Sequence, residues 1–278
     1  MSSLQISILV IIIIVVIVLI LFIYLSTAYP GLFVDWKRKS SSESHIVTKD
    51  KILSSNDINT IKNTINNDDQ RQINIAMSVI GTAAYIDPKE NYEERCRITN
   101  PLLREKYGIL YQKLLSKLEN MINGDNGENK CIYAADRTKN KIALPGFHIF
   151  NSKSPLAKGW AVASLHVDKQ EELISWPENE IFDMEKTLSY TLAIDVPEDS
   201  GLYVTNLKDN NSYSPLWWRI RNSKIEKVSY QNGYCYLHHG KYFHMISPFV
   251  AKESTTQRIT LQGHAIFCKS RNEWWLYW

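Results

Sequence analysis

Ser164-Leu165-His166-Val167-Asp168 is the stretch that decides how this chain is read. His166 and Asp168 stand two apart. The Val162-Ala163-Ser164-Leu165 run before them has the character of a strand, and on a strand residues i and i+2 point to the same face. An imidazole and a carboxylate then project together at a strand end. That is two thirds of a 2-His-1-carboxylate metal site, the arrangement that leaves coordination positions open on non-haem Fe(II). The question for the rest of the chain is where a third ligand would come from.

Short β-type runs recur around this stretch: Ile142–Phe150, Trp160–Asp168, Thr187–Val196, Leu202–Asn206, Leu216–Arg221, Gly233–His238, Tyr242–Ile246, Arg258–Phe267 and Trp274–Trp278. Turn residues separate them, as in Pro197-Glu198-Asp199-Ser200-Gly201 and Gln231-Asn232-Gly233. Many short strands with turns at this spacing predict a mainly β sandwich or jelly roll. Such a fold sets distant strands side by side, so His238, His239, His244 and His264 are all candidate third ligands. Arg258 and Thr260 are again i and i+2 on a strand and can both face the barrel interior. A guanidinium facing inwards there needs an anionic partner, which a carboxylate-bearing co-substrate would supply.

His-x-Asp, a distant His and an Arg about a dozen residues later on the next strand together resemble the Fe(II)/2-oxoglutarate-dependent dioxygenase superfamily, and more loosely its prolyl 4-hydroxylase-like members. The resemblance covers roughly Leu144 to Phe267, and Gly233 to Pro248 resembles the family's turn glycine, strand, His and nearby Pro. It implies a double-stranded β-helix (a jelly roll) with flanking helices. It implies iron on His166, Asp168 and His244, with no catalytic side chain beyond that metal site. It also implies 2-oxoglutarate and O2 as co-substrates, with Arg258 on the distal carboxylate and Thr260 hydrogen-bonding beside it. His-x-Asp alone occurs by chance in many chains; the specificity lies in the ordered set. Spacing to Arg258 and the following Pro248 favour His244 over His239. Two neutral imidazoles and a carboxylate occupy one face of the metal, leaving the other for the keto acid and O2. Arg rather than Lys gives a bidentate clasp on a planar carboxylate.

Plainer readings exist for other residues. His148 and His264 read as satisfied core or edge histidines, one of His238 and His239 as surface, and Gln170 and Gln262 as possible pocket residues. Trp217-Trp218 and the Trp274–Trp278 run read as sheet packing, with a substrate face or membrane contact as the functional alternative. Glu178, Glu180, Asp183 and Glu185 read as a solvated loop. Two helices are expected. Ser55 to Asn67 has Ile58, Ile61 and Ile65 at helical spacing, and Pro101 to about Ile122 has Asn100 as N-cap and Pro101 at N1.

An unbroken apolar run from Ile8 to Leu25, about 20 residues with Ile6 and Ser7, has the length of a bilayer-spanning helix. It exceeds a signal-peptide core and no Lys or Arg precedes it, so it reads as an uncleaved anchor contacting lipid through residues 6–25. Lys37, Arg38 and Lys39 place the following domain in the cytosol, whereas the single sequon Asn210-Asn211-Ser212 would be usable only in a lumen. The expected organisation is an anchor over 1–28, a juxtamembrane stalk over 29–50, a helical part over 51–130 and a jelly-roll core over 131–278. A formal net charge of +3 over 278 residues, without a basic cluster interleaved with aromatics, argues against nucleic acid. Cys96, Cys131, Cys235 and Cys268 form no C-x-x-C pair, which argues against a structural zinc site. The rival to an oxygenase is a membrane-tethered β-sandwich without catalysis, binding a partner through its aromatic surface. A third reading is a metal enzyme of this fold in which Arg258 faces away.

Overall fold

The computed structural model of the chain describes residues 3–28, 40–41, 46–73, 77–124, 128–160, 163–208, 219–220 and 222–278. The Asn210 sequon, Trp217-Trp218, Lys37–Lys39 and most of the expected Leu216–Arg221 strand lie outside them.

Thirteen strands are described, in chain order: β1 (Ser40–Ser41), β2 (Thr48–Lys51), β3 (Gln72–Ile73), β4 (Ser78–Ile80), β5 (Lys130–Tyr133), β6 (Gly146–Asn151), β7 (Phe182–Asp195), β8 (Gly201–Lys208), β9 (Ile225–Ser229), β10 (Tyr234–His239), β11 (Tyr242–Ser247), β12 (Gln257–Cys268) and β13 (Glu273–Tyr277). One sheet runs β2-β10-β7-β12-β6-β4-β3, with β13 pairing both β12 and β5; the other runs β1-β9-β8-β11. The chain alternates between them. It passes from β6 in the first sheet to a single bridge at His166 in the second, then through β7, β8 with β9, β10, β11 and back to β12. That alternation makes the jelly roll.

Strands β6 and β12 are buried along almost their whole length, and β7 over its second half, because both their faces are covered there. One face looks into the barrel. The other packs against a helix, α3, spanning Lys89–Asn123, whose Leu103, Tyr107, Leu110, Leu114 and Leu118 share a core with Ile149, Leu192 and Leu261. The shorter α2, Ser55–Asn66, starts at N-cap Ser54 with a reciprocal capping box to Asp57, and buries Ile61 and Ile65 as the sequence spacing predicts.

Three expectations are corrected. First, α3 begins twelve residues before Pro101, so Asn100 is no N-cap. Asn100 is buried inside the helix, its amide donating to Ile142 O and accepting from Leu144 N. The helix accommodates Pro101 and departs from helical geometry only later, at Tyr107. Second, Trp160–Asp168 is not a strand; its described part is extended chain held by the His166–His244 bridge. Third, the acidic stretch is only partly loop: β7 starts at Phe182, and Glu180 binds Ser270 and Arg271.

Within the stretch expected to be a stalk, β1 pairs in parallel with β9 and β2 pairs with β10. All four cysteines are buried free thiols. The aromatic run at 274–278 is sheet packing, with Trp275 and Trp278 almost fully buried. Helix α1 spans Ser3–Ala28, and its described side chains, Val10–Phe22 and Tyr24, are exposed. The expected bilayer-spanning helix is not supported: among the described residues no helix is long and apolar enough to cross a membrane.

Candidate metal centre and co-substrate pocket

Two backbone contacts place the His166–Asp168 pair. His166 and His244 exchange both N–H···O bonds, at 3.0 and 2.8 Å, so the two imidazoles stand on neighbouring chains. The Asp168 N–H donates to Gly240 O at 2.9 Å, in the turn joining β10 and β11. A side chain at Gly240 would meet Thr187 and Ser189 at 3.1 and 3.2 Å, so glycine suits this close approach.

His244 Nε2 lies 3.3 Å from Asp168 Oδ2, and His166 Nε2 lies 3.7 Å from Oδ1. One ligand atom from each of the three residues fits within 4.8 Å of the others. The tautomers follow from the far nitrogens. His166 Nδ1 lies 3.0 Å from Ser164 O and His244 Nδ1 lies 2.9 Å from Tyr242 O. A carbonyl only accepts, so each Nδ1 carries a hydrogen and each ring turns its Nε2 towards Asp168. Burial pushes His244 down to about 3, so at ordinary pH its lone pair faces a carboxylate oxygen. The Asp168 carboxyl lies below the usual carboxylate range: burial raises it, and the charge that the surrounding imidazoles take up in acid lowers it by more. Acceptors converging in this way call for a cation between them, and the donor set N, N, O⁻ suits Fe(II).

A second layer fixes the carboxylate. Ser189 Oγ donates to Asp168 Oδ2, and His264 Nδ1 lies 3.2 Å from Ser189 Oγ. Gln170 Nε2 donates to Oδ1 at 3.3 Å. His238 is buried with its ring 4.6 Å from that of His244, while its neighbour His239 turns away to pack on Tyr242.

These groups line a cavity of about 450 Å³, together with His148, Phe150, Tyr230 and Gln262. Residues 258, 260, 262 and 264 alternate onto one face of β12, so Arg258 and Thr260 share the interior side with Gln262 and His264. Arg258 is fully buried. Its Nε donates to Ser200 Oγ at 3.0 Å and its Nη1 to Thr260 Oγ1 at 3.3 Å, while Nη2 has no partner. Phe150 and Tyr230, both lining the cavity, pack 5.6 and 5.5 Å from the guanidinium. Among the described residues no carboxylate pairs with it. The Arg258 guanidinium is therefore a buried cation without an ion-pair partner among the described residues.

The structure therefore brings together His166, Asp168 and His244, and sets Arg258 beside Thr260. Gln170 and Gln262 do reach the cavity. Ser189 and Tyr85 carried no sequence signal. His264, read as a core histidine, meets Asp168 only through the β7–β12 register, where Ser189 faces His264.

No family model matches the chain, and no curated protein matches it. Solved structures do. An N-substituted L-amino acid dioxygenase from Burkholderia ambifaria AMMD, in complex with alpha-KG, aligns over 84% of this chain and 86% of its own at 11% identity and TM-score 0.50. A second structure of that dioxygenase aligns over 83% and 85% at 13% identity and TM-score 0.49. A Pseudomonas putida prolyl-4-hydroxylase aligns over 79% and 91% at 11% identity and TM-score 0.34. The alpha-KG complex shows that this chain shares the dioxygenase's fold.

Proposed function

We propose that this protein is a membrane-anchored Fe(II)/2-oxoglutarate-dependent oxygenase, acting as a hydroxylase. The observation that carries the reading is Arg258: a fully buried cation with an unpartnered Nη2 and, among the described residues, no acid beside it, on the strand whose interior face also lines the cavity of the His166–Asp168–His244 cluster. A silent binding module would have no use for an unneutralised charge in its core.

In this reading His166, Asp168 and His244 hold the iron, which when bound supplies O2 activation coupled to 2-oxoglutarate decarboxylation. Arg258 clasps the distal carboxylate with Thr260 beside it. Ser164 O and Tyr242 O fix the imidazole tautomers, and Ser189, His264 and Gln170 hold the carboxylate in place. Phe150 and Tyr230 pack on the guanidinium and also line the cavity, which gives the arginine apolar cover. The core over 131–278 carries the chemistry, and the helices of 51–130 buttress it. Supplying Fe(II) and 2-oxoglutarate in air gives succinate and CO2; turnover that survives His166→Ala combined with Asp168→Ala rules the reading out.

Anchoring rests on the apolar sequence run Ile8–Leu25; α1 does not reach the length and apolarity of a spanning helix among its described residues, but its described side chains from Val10 to Phe22 are apolar and exposed, a surface that water does not tolerate on an isolated helix. Lys37–Lys39 and four free buried thiols support a cytosolic domain. Release of the full chain from membranes by alkaline carbonate contradicts the anchor, and glycosylation at Asn210 contradicts the orientation.

A further inference from the structure

His148 belongs to none of the roles above. It lies on β6 opposite Thr260 of β12, two residues before Phe150, whose ring packs on Arg258. It is 5% exposed and lines the cavity. Its Nε2 lies 2.6 Å from Tyr85 Oη. The direction of this bond follows the ring tautomer: with the imidazole hydrogen on Nδ1, the Tyr85 hydroxyl donates to Nε2. Burial, reinforced by nearby Arg258, pushes the imidazole down to about 3, so it is neutral. A neutral ring carries a single hydrogen, which in this tautomer sits on Nδ1. Nδ1 has no partner within strict hydrogen-bond geometry, and Gln262 is the side chain beside it whose hydrogen-bonding pull on the imidazole opposes burial. A buried donor left open beside a cavity is matched by an acceptor the cavity takes up.

We infer that His148 is a further co-substrate-binding residue, donating from Nδ1 to an oxygen of the bound 2-oxo dicarboxylate, and that Tyr85 is the positioning residue that turns this donor inwards. The inference rests on the co-substrate reading proposed above. Its chemistry is specific: the arginine end supplies the charge, and His148 adds a neutral donor between that end and the His264 end of the cavity. Tyr85 is 40% exposed, so the same bond ties the 81–88 segment to an occupied pocket.

The two nitrogens of the ring can be separated by substitution. The amide nitrogen of His148→Asn replaces Nδ1 and keeps the cavity donor. That of His148→Gln replaces Nε2 and keeps only the Tyr85 contact. Binding of 2-oxoglutarate to the full chain in detergent, loaded with redox-inert Zn(II), is read by thermal shift and by equilibrium dialysis. His148→Asn holds affinity within about 3-fold, whereas His148→Gln weakens it by about 10–100-fold, the loss of one bond to a charged acceptor. Tyr85→Phe, at a partly exposed position, weakens it by about 3–10-fold. Equal affinity in wild type and His148→Gln, equal weakening in both His148 variants, or no effect of Tyr85→Phe overturns the inference while leaving the oxygenase reading intact. Failure of the wild type to bind 2-oxoglutarate overturns both.

Discussion

Replacing Arg258 by methionine separates a binding arginine from a structural one. The guanidinium is fully buried and touches two neutral hydroxyls, Ser200 Oγ and Thr260 Oγ1, with no carboxylate among the described residues. Replacing a buried ion pair by apolar side chains of similar volume is neutral or stabilising by about 1–4 kcal/mol, and removing a buried cation that has no ion-pair partner is taken on the same scale. Against that, removing each of the two hydrogen bonds to a hydroxyl costs about 0.5–1.5 kcal/mol. The ligand-free variant therefore unfolds within about 2–3 kcal/mol of wild type, on either side. The ligand response differs far more. At a 2-oxoglutarate concentration of 100 Kd the wild type gains about 2.7 kcal/mol, roughly 5–10 °C in Tm for a domain of this size. Losing the bidentate clasp raises Kd by at least about 100-fold, which at the same concentration leaves a gain of about 0.4 kcal/mol and a shift near 1 °C. Differential scanning fluorimetry of the Zn(II)-loaded full chain in detergent, with and without 2-oxoglutarate, reads both quantities. A ligand-free variant that unfolds more than about 10 °C early while keeping the wild-type ligand shift refutes the reasoning, because Arg258 would then be a structural residue with no part in binding.

Two glycines make opposite predictions. An alanine Cβ at Gly146 would sit 1.7 Å from the buried Trp278 ring, so Gly146→Ala costs at least about 1–3 kcal/mol, whereas Gly108→Ala, with nothing within 4 Å inside α3, stabilises by about 0.5–1 kcal/mol; urea midpoints check both. Stability of the metal-free chain falls with acid. His148 and His244 are both pushed down to about 3 by burial, so each favours folding in its neutral form. That contribution is complete above pH 6.5, the ordinary histidine value, and declines as pH drops towards 3; His148→Asn flattens the slope of urea midpoint against pH over this window. Burial pushes the Cys96 and Cys131 thiols up to about 12, so native protein resists iodoacetamide, and all four cysteines label after unfolding; a disulfide in the mass spectrum contradicts this.

The parts legible in the sequence are those where residue type and local period suffice. His166, Asp168 and His244 stood out because imidazoles and a carboxylate in that order have few other uses, and Arg258 because an arginine in an apolar strand needs a reason. The Trp160–Asp168 strand was misread because alternation over a few residues describes an extended segment equally well, whether it makes a ladder or one bridge. The start of α3 was misplaced because Asn100-Pro101 carries every local signal of a helix N-terminus. The amide of Asn100 is instead used by a loop forty residues away, which no local rule contains. Ser189 and Tyr85 carry no sequence signal, and His264 reads only as a candidate ligand or core histidine, for a related reason: their contacts with Asp168 and His148 are made by strand register and loop packing between segments far apart in the chain.

The central claim is that this cavity holds Fe(II) and a keto acid together. Its most direct test adds Fe(II) and then 2-oxoglutarate anaerobically to the full chain in detergent and records the visible metal-to-ligand charge-transfer band of the chelated keto acid. The account predicts that the band appears, is lost in His244→Ala and is weakened in Arg258→Ala. Iron retained without the band, or no iron retained at all, contradicts it.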